Sequence, residues 1–116
     1  MLATVLVVLV ALLHVYFMVL EMFLWTKPAG RRAFGTTQEQ AEQSKVLAMN
    51  QGLYNGFLAA GLLWGLSLGT AGRSVIVFFL LCVIAAGVFG AVTASRKILW
   101  VQALPGVVAL VAVMRG

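Results

Sequence analysis

The chain has 116 residues, of which 63% are hydrophobic and only 9% are charged, and its mean hydropathy is +1.07. A soluble domain of this size must present a polar surface, and this composition cannot cover one. The net charge of +5 does not indicate nucleic-acid binding, because the basic residues fall in the gaps between apolar segments. We therefore predict an integral membrane protein, with the lipid bilayer as its first partner and no nucleic-acid partner.

Four apolar segments predict four membrane-spanning helices. A bilayer allows helices or a closed barrel, and these uninterrupted segments lack the alternation of barrel strands. The first segment has 24 residues, roughly 36 Å as a helix, and we predict that it is retained because it lacks the basic start of a signal peptide. The predicted fold is a single all-α domain, residues 1–116, forming a four-helix bundle with spans at about 2–25, 46–68, 74–94 and 98–114.

The basic residues of the connections predict the orientation. Cytoplasmic loops of membrane proteins are enriched in lysine and arginine. The first and third connections carry six basic residues, whereas the opposite side of the membrane carries two, Arg73 and Arg115. We therefore predict that the first and third connections face the cytoplasm and that both termini lie on the non-cytoplasmic side. The six are Lys27, Arg31, Arg32, Lys45, Arg96 and Lys97.

The long polar connection after the first span contains both turn and helix signals. Pro28, Gly30 and Gly35 predict a turn beyond the end of the first helix. Thr37 with Gln40, or Thr36 with Glu39, has the spacing of a capping box, in which each side chain bonds the backbone of the other. We therefore predict a helix that begins near Thr37 and continues into the second span.

Small residues recur every four positions in the second and third spans. Such stripes let helix backbones approach closely inside a membrane, where helices and lipid are equally apolar. The stripes fit packing within one bundle and packing between protomers equally well, so a homodimer or a larger membrane complex stays open. The glycines predicted to pack helices are Gly52, Gly56, Gly61, Gly65 and Gly90.

Glu21 is the one acidic residue inside a predicted span, and it shares a helix face with His14, the only histidine. An ionised carboxylate in hydrocarbon costs at least about 2.5–3.5 kcal/mol by insertion scales, which favours a functional role for Glu21 over a packing role. His14 and Glu21 are seven positions apart, which corresponds to roughly 10.5 Å along a helix and is too far for a direct bond between them. The pair is suited to opposite ends of one ligand, although His14 fits hydrogen-bonded packing equally well.

Gln51 of the second span and Gln102 of the fourth are predicted at the depth of Glu21, within about two turns of the cytoplasmic edge, with Asn55 and His14 deeper. The amide side chains offer donors and acceptors, and they suit Glu21, a ligand, or hydrogen bonds between helices. Trp25 and Trp100 are predicted as anchors at the cytoplasmic interface. The candidate ligand-binding residues are His14, Glu21, Asn50, Gln51, Tyr54, Asn55 and Gln102.

No metal site or cofactor is predicted. Cys82 is the only cysteine, so neither a disulfide nor a thiol metal site can form within one chain. The sequence contains no phosphate-binding loop, no nucleophile–base pair and no cluster of metal ligands. The sequence leaves open whether the protein is an enzyme.

Several of these residues also carry a resemblance to a known family. The resemblance is carried by HVYFMVLEMFLW at 14–25, GRRAFG at 30–35, NQGLYNGFLAAGL at 50–62 and QALP at 102–105. These segments resemble the bacterial membrane-protein family catalogued as domain of unknown function 1304. The resemblance covers nearly the whole chain and implies a compact four-helix protein, multi-pass in the bacterial inner membrane, with no settled activity. Its motif positions in this chain are His14, Glu21, Trp25, Asn50, Gln51, Tyr54, Asn55, Gln102 and Pro105.

Three functions stay open. The first is a site for a lipophilic or amphipathic small molecule in the cytoplasmic half of the bilayer, with or without acid–base chemistry by His14 and Glu21. The second is an accessory or assembly subunit of a larger membrane complex. The third is a proton-coupled small-molecule exporter, although the six-to-two charge bias disfavours an antiparallel dimer.

Overall fold

The computed structural model describes residues 1–116, and its regular elements are all helices, with no strand. The predicted all-α class is therefore confirmed. A 3-10 turn, Gly69–Gly72, precedes the fourth helix, and a π-helical turn, Leu99–Ala103, precedes the fifth. The five α-helices are α1 (Leu2–Met22), α2 (Pro28–Phe34), α3 (Gln38–Ser67), α4 (Arg73–Thr93) and α5 (Leu104–Arg115).

The segment after α1 differs from its prediction. α1 ends at Met22, three residues before the predicted end of the first span at Trp25. The predicted turn at 28–35 is wrong, because α2 occupies it. Proline suits the first position of a helix, and Gly35 adopts the left-handed conformation (φ 67°) that ends one.

The start of α3 confirms its prediction. Thr37 Oγ1 accepts a hydrogen bond from the backbone N–H of Gln40 at 3.1 Å, and the Thr37 N–H donates to Gln40 Oε1 at 2.9 Å. This capping box satisfies backbone donors that a helix start leaves without partners. From there α3 runs for 30 residues without interruption, which is roughly 45 Å.

Two helices are long and apolar enough to span a membrane. They are Leu2–Met22 and Gly69–Thr93, and in each only 22% of the most apolar stretch is buried inside the protein. A third apolar helix, Leu99–Arg115, is shorter. The length and composition of two of the four predicted spans are therefore those of membrane helices.

The chain forms two compact units, one made of Met1–Leu12 and Leu58–Gly116 and the other of Leu13–Phe57. We call the first the terminal unit and the second the Glu21 unit. The terminal unit has an apolar core of buried side chains from the start of α1 and from α3, α4 and α5. They are Val7, Val10, Ala11, Leu62, Ile76, Leu80, Val83, Ala109 and Val113.

Glycines of α3 lie where helices of the terminal unit approach closely. A Cβ atom added to Gly61 would overlap the ring of Phe79, and one added to Gly65 would lie 2.6 Å from Ile76 Cγ1. Both partners are side chains of α4. A larger residue at either position would push α4 away from α3.

The π-helical turn packs against α4. A Cβ on Gly87 would lie 2.5 Å from the backbone nitrogen of Ala103, whereas one on Gly90 would meet only the Ile98 side chain, at 3.1 Å. The turn closes with the Leu104 N–H bonded to the carbonyl of residue 99, five positions back. The backbone of α4 therefore contacts the widened turn directly at Gly87.

Candidate functional site

The candidate site is built around a buried carboxyl group. Glu21 lies one residue before the end of α1 and is 8% exposed, and Asn55 of α3 is 6% exposed. The Nδ2 amide of Asn55 donates a hydrogen bond to Glu21 Oε1. The bond joins two helices of the Glu21 unit and supplies a donor to a group that is costly to bury alone.

Two glycines allow α3 to come this close to α1. A Cβ on Gly52 would lie 2.5 Å from Met22 Cγ and 3.1 Å from Glu21 Cβ. A Cβ on Gly56 would lie 2.8 Å from the Met18 sulfur. Because residues three and four positions apart share a helix face, Gly52 and Gly56 lie on the face that carries Asn55.

His14 is fully buried on α1, two turns before Glu21. Its ring and that of Phe17 form an edge-to-face pair, with the ring centroids 5.5 Å apart and an interplanar angle of 76°. Its spacing from Glu21 puts both on one side of α1. α1 thus buries an imidazole and a carboxyl group on the same helix face.

The other candidate residues of α3 have different surroundings. Asn50, Gln51 and Tyr54 are exposed. The Nδ2 of Asn50 donates to the carbonyl of Val46 in its own helix at 2.9 Å. The structure therefore brings Asn55 to Glu21 and leaves the other three on the open surface of α3.

The remaining predicted residues are one amide and two tryptophans. Gln102 is half-buried in the π-helical turn and belongs to the terminal unit. Trp100, in the same turn, is 64% exposed. Trp25 is half-buried, and its Nε1 donates to Ser44 Oγ at 3.1 Å.

Trp25 links three segments of the Glu21 unit. Its ring lies 4.9 Å from that of Phe34 in α2, and its hydrogen bond reaches Ser44 in the first turns of α3. The Ser44 hydroxyl in turn donates to the carbonyl of Gln40 at 2.8 Å. Neither Ser44 nor Phe34 is predicted from the sequence, in which only the interfacial character of Trp25 points toward them.

The chemistry available at this site is proton exchange and hydrogen bonding. Glu21 and His14 are groups that transfer protons, and the Asn55 bond involves one of two carboxyl oxygens, each of which can accept. No group of three or more His, Cys, Asp or Glu side chains is placed to hold a metal ion.

Comparisons with known proteins identify relatives but no activity. A family model described as "Protein of unknown function (DUF1304)" matches residues 8–114, a range that includes all seven candidate ligand-binding residues. The chain is similar to the protein named Uncharacterized protein YpaA from Lactococcus lactis subsp. lactis (strain IL1403). The two are 32% identical over 112 residues, which cover 95% of this chain and 94% of that protein. No solved structure matches the chain.

Proposed function

Because this chain belongs to the family described as protein of unknown function (DUF1304), as its sequence predicts, we propose a function from its own residues. We propose that the protein passes through the bacterial inner membrane several times and that it binds a lipophilic or amphipathic small molecule beside Glu21. The relative from Lactococcus lactis supports a bacterial source, and the two long apolar helices support the membrane location. The buried carboxyl group carries the ligand site.

Exposed apolar side chains support the membrane location. A helix in the core of a soluble protein is mostly buried, yet only 22% of the most apolar stretch of α1, and the same share of that of α4, is buried. Lipid is the solvent in which such a surface costs no hydration free energy. The large side chains exposed on these two helices include Val5, Leu9, Leu12, Phe78, Leu81, Phe89 and Val92.

The proposed topology has four spans and places both termini outside the cytoplasm. The spans are α1, the apolar part of α3, α4, and α5 together with the π-helical turn. The basic residues between spans support this orientation. α2 and the start of α3 are then at the cytoplasmic surface.

The observation that carries the ligand site is the buried Glu21 carboxyl group with its Asn55 donor. An apolar pair would join α1 to α3 without the desolvation penalty of a carboxyl group, so the presence of Glu21 favours a task beyond packing. Glu21 and His14 lie roughly 10.5 Å apart along α1, which suits an elongated molecule with a polar group at each end.

Native mass spectrometry of protein released gently from its own membrane tests the ligand site. We expect a discrete small-molecule adduct on the wild type and an occupancy at least about tenfold lower on Glu21→Gln, the loss expected from about 1.4 kcal/mol of binding free energy. Glu39→Gln is the matched control, because it makes the same chemical change at an exposed position. It should retain the adduct.

The other outcomes separate the competing functions. Bare protein in all three samples, or an adduct equally abundant on Glu21→Gln, contradicts the ligand site. A bound polypeptide in place of a small molecule supports the accessory subunit instead. Proton-dependent uptake into vesicles that disappears in Glu21→Gln supports the exporter.

A further inference from the structure

The basic surface around α2 has no part in the Glu21 site. All three charged side chains between Thr26 and Thr37 are basic, and Lys45 follows in the first turns of α3. The side chains of Lys27, Arg32 and Lys45 are exposed and that of Arg31 is half-buried. We call Lys27, Arg31, Arg32 and Lys45 the basic surface.

The carboxylates nearest in sequence do not neutralise the basic surface. Gln38 Nε2 donates to Glu42 Oε1 at 2.8 Å, and Gln43 Nε2 donates to Glu39 Oε1 at 3.5 Å. Neither carboxylate forms a salt bridge with a residue of the basic surface. The positive charge is therefore available to an external anion.

Several contacts hold α2 in place beside the end of α1. A Cβ on Gly30 would overlap the carbonyl of Leu24, so the α2 backbone lies directly against that segment. Arg31 Nε donates to the carbonyl of Thr26 at 3.2 Å, which restrains the guanidinium group. Because these groups are already restrained, they lose less conformational entropy when a ligand binds them.

Aromatic side chains accompany the basic surface. The rings of Trp25 and Phe34 lie 4.9 Å apart, tilted by 51°, in the segment that contains α2, and Phe23 is 65% exposed just before it. Aromatic rings beside basic residues are typical of the headgroup region, where rings reach the acyl boundary and cations reach the phosphates.

We propose that the basic surface binds the phosphate groups of anionic phospholipids at the cytoplasmic face of the membrane. The inference rests on the proposed membrane location but not on a ligand at Glu21. A guanidinium group matches the two-oxygen geometry of a phosphate, which assigns Arg31 and Arg32 the main contacts. One cation near an anionic membrane surface corresponds to roughly a fivefold preference over a zwitterionic lipid.

Trp25 provides a local reporter for the test. The full chain, with Trp64→Phe and Trp100→Phe, is reconstituted in vesicles of equal parts phosphatidylcholine and phosphatidylglycerol, with bromine on the acyl chains of one lipid at a time. Bromine quenches tryptophan fluorescence at short range. The quenching of Trp25 by each brominated lipid measures how strongly that lipid is preferred beside it. We expect this relative affinity to be roughly fivefold greater for phosphatidylglycerol than for phosphatidylcholine.

Arg31→Gln with Arg32→Gln should remove most of the preference for phosphatidylglycerol, because it removes the two main contacts and leaves only Lys27 and Lys45. The matched control is Arg96→Gln with Lys97→Gln, which removes the same charge from another connection and should retain the preference. Raising the salt from about 0.1 M to about 1 M should reduce the preference in the wild type without any substitution, because the Debye length falls from about 10 Å to about 3 Å. This salt measurement tests the proposal even where the double variant folds poorly.

Each contrary outcome has a separate meaning. If the two brominated lipids quench the wild type equally, or if both double variants lose the phosphatidylglycerol preference to the same extent, the lipid site is overturned. The membrane location stays intact in both cases. A preference abolished by excess inorganic phosphate at constant ionic strength shows a site for soluble phosphate and overturns lipid as the occupant. The absence of quenching by either lipid contradicts the membrane location itself.

Discussion

Asn50 and Asn55 lie on the same helix but differ in what their amides bind. Asn55 donates to the Glu21 carboxyl group of another helix, whereas Asn50 donates to the backbone of its own. We expect Asn55→Ala to lower the free energy of unfolding by about 1–3 kcal/mol, because it leaves a buried carboxyl group without this donor. Asn50→Ala should change it by less than about 0.5 kcal/mol.

Unfolding of both variants by sodium dodecyl sulfate in mixed micelles measures this difference. Glu21→Gln combined with Asn55→Ala completes a double-mutant cycle, in which the coupling between the two positions appears as non-additivity. Equal stability of the two asparagine variants would show that the Asn55 bond contributes nothing net to the folded protein.

Thr36 and Thr37 are neighbours in sequence with opposite expected effects. Thr36 Oγ1 is buried with no hydrogen-bond partner, whereas Thr37 Oγ1 caps α3. Thr36→Val should be neutral or stabilise the protein by up to about 1 kcal/mol, since it replaces a desolvated hydroxyl by a methyl group. Thr37→Val should destabilise it by about 0.5–2 kcal/mol.

The same unfolding measurement compares the two threonine variants. Circular dichroism at the helical minimum provides a second readout for Thr37→Val, because an uncapped helix frays from its start. Destabilisation by Thr36→Val would mean that this hydroxyl has a partner in solution.

The contacts of a residue could be predicted where its partner is near in the sequence, and could not be predicted where its partner lies on another helix. The bonds between Thr37 and Gln40 depend on three-residue spacing, which the sequence contains in full. The polar arc at the start of the second span is a different case. Nothing local distinguishes Asn55, which faces Glu21, from Asn50, which faces outward, because the distinction depends on where α1 lies.

At the scale of elements, α2 shows how one signal can have two meanings. Proline and glycine both interrupt helices, so Pro28 and Gly35 predict a turn. The same pair also delimits a helix when proline takes the first position and glycine follows the last, as they do here. Close packing of Gly30 against Leu24 favours the helix, and that contact is not local in the sequence pattern.

Gly87 and Gly90 of α4 should respond differently to the same substitution. A Cβ at position 87 would meet the backbone of Ala103, which cannot move without displacing the π-helical turn. Gly87→Ala should therefore destabilise the protein by about 1–3 kcal/mol. Gly90→Ala should change stability by less than about 1 kcal/mol, because Ile98 can rotate and alanine favours the helix.

Thermal unfolding in detergent, followed by circular dichroism, distinguishes these two variants. A reversed order, with Gly90→Ala the less stable, would mean that the turn yields more easily than the Ile98 side chain.

At the scale of the whole molecule, the distribution of basic residues predicts which connections face the cytoplasm. We expect a cysteine at Ala29, in α2, to be protected from a membrane-impermeant maleimide in intact cells, and one at Ala71, between α3 and α4, to react. Both positions are exposed in the folded protein, so accessibility within the fold does not explain a difference. Cys82→Ser provides the background.

Permeabilised cells are the control, in which both positions should react. Labelling of Ala29→Cys in intact cells would reverse the proposed orientation. Labelling of neither position, or of both, would contradict an odd number of spans between them.

The apolar segments of the sequence predict helices well because in lipid each helix satisfies its own backbone hydrogen bonds. Their partners are harder to predict. Nearly every face of α1 and α4 is apolar, so hydropathy does not distinguish the core position of Leu80 from the exposed position of Leu81. Small residues at four-residue spacing leave an opening in the helix surface. The spacing alone does not distinguish Gly87, which meets the backbone of Ala103, from Gly90, which meets only the Ile98 side chain.

The unbroken course of α3 from Gln38 to Asn55 has a mechanical consequence. An α-helix resists twisting about its axis, and the capping box at Thr37 keeps the first turn of α3 from unwinding. A rotation of about 20° moves an atom about 6 Å from the axis by about 2 Å, which exceeds the tolerance of a hydrogen bond. Torque applied near Gln38, roughly 26 Å away along the helix, would therefore disengage Asn55 from Glu21.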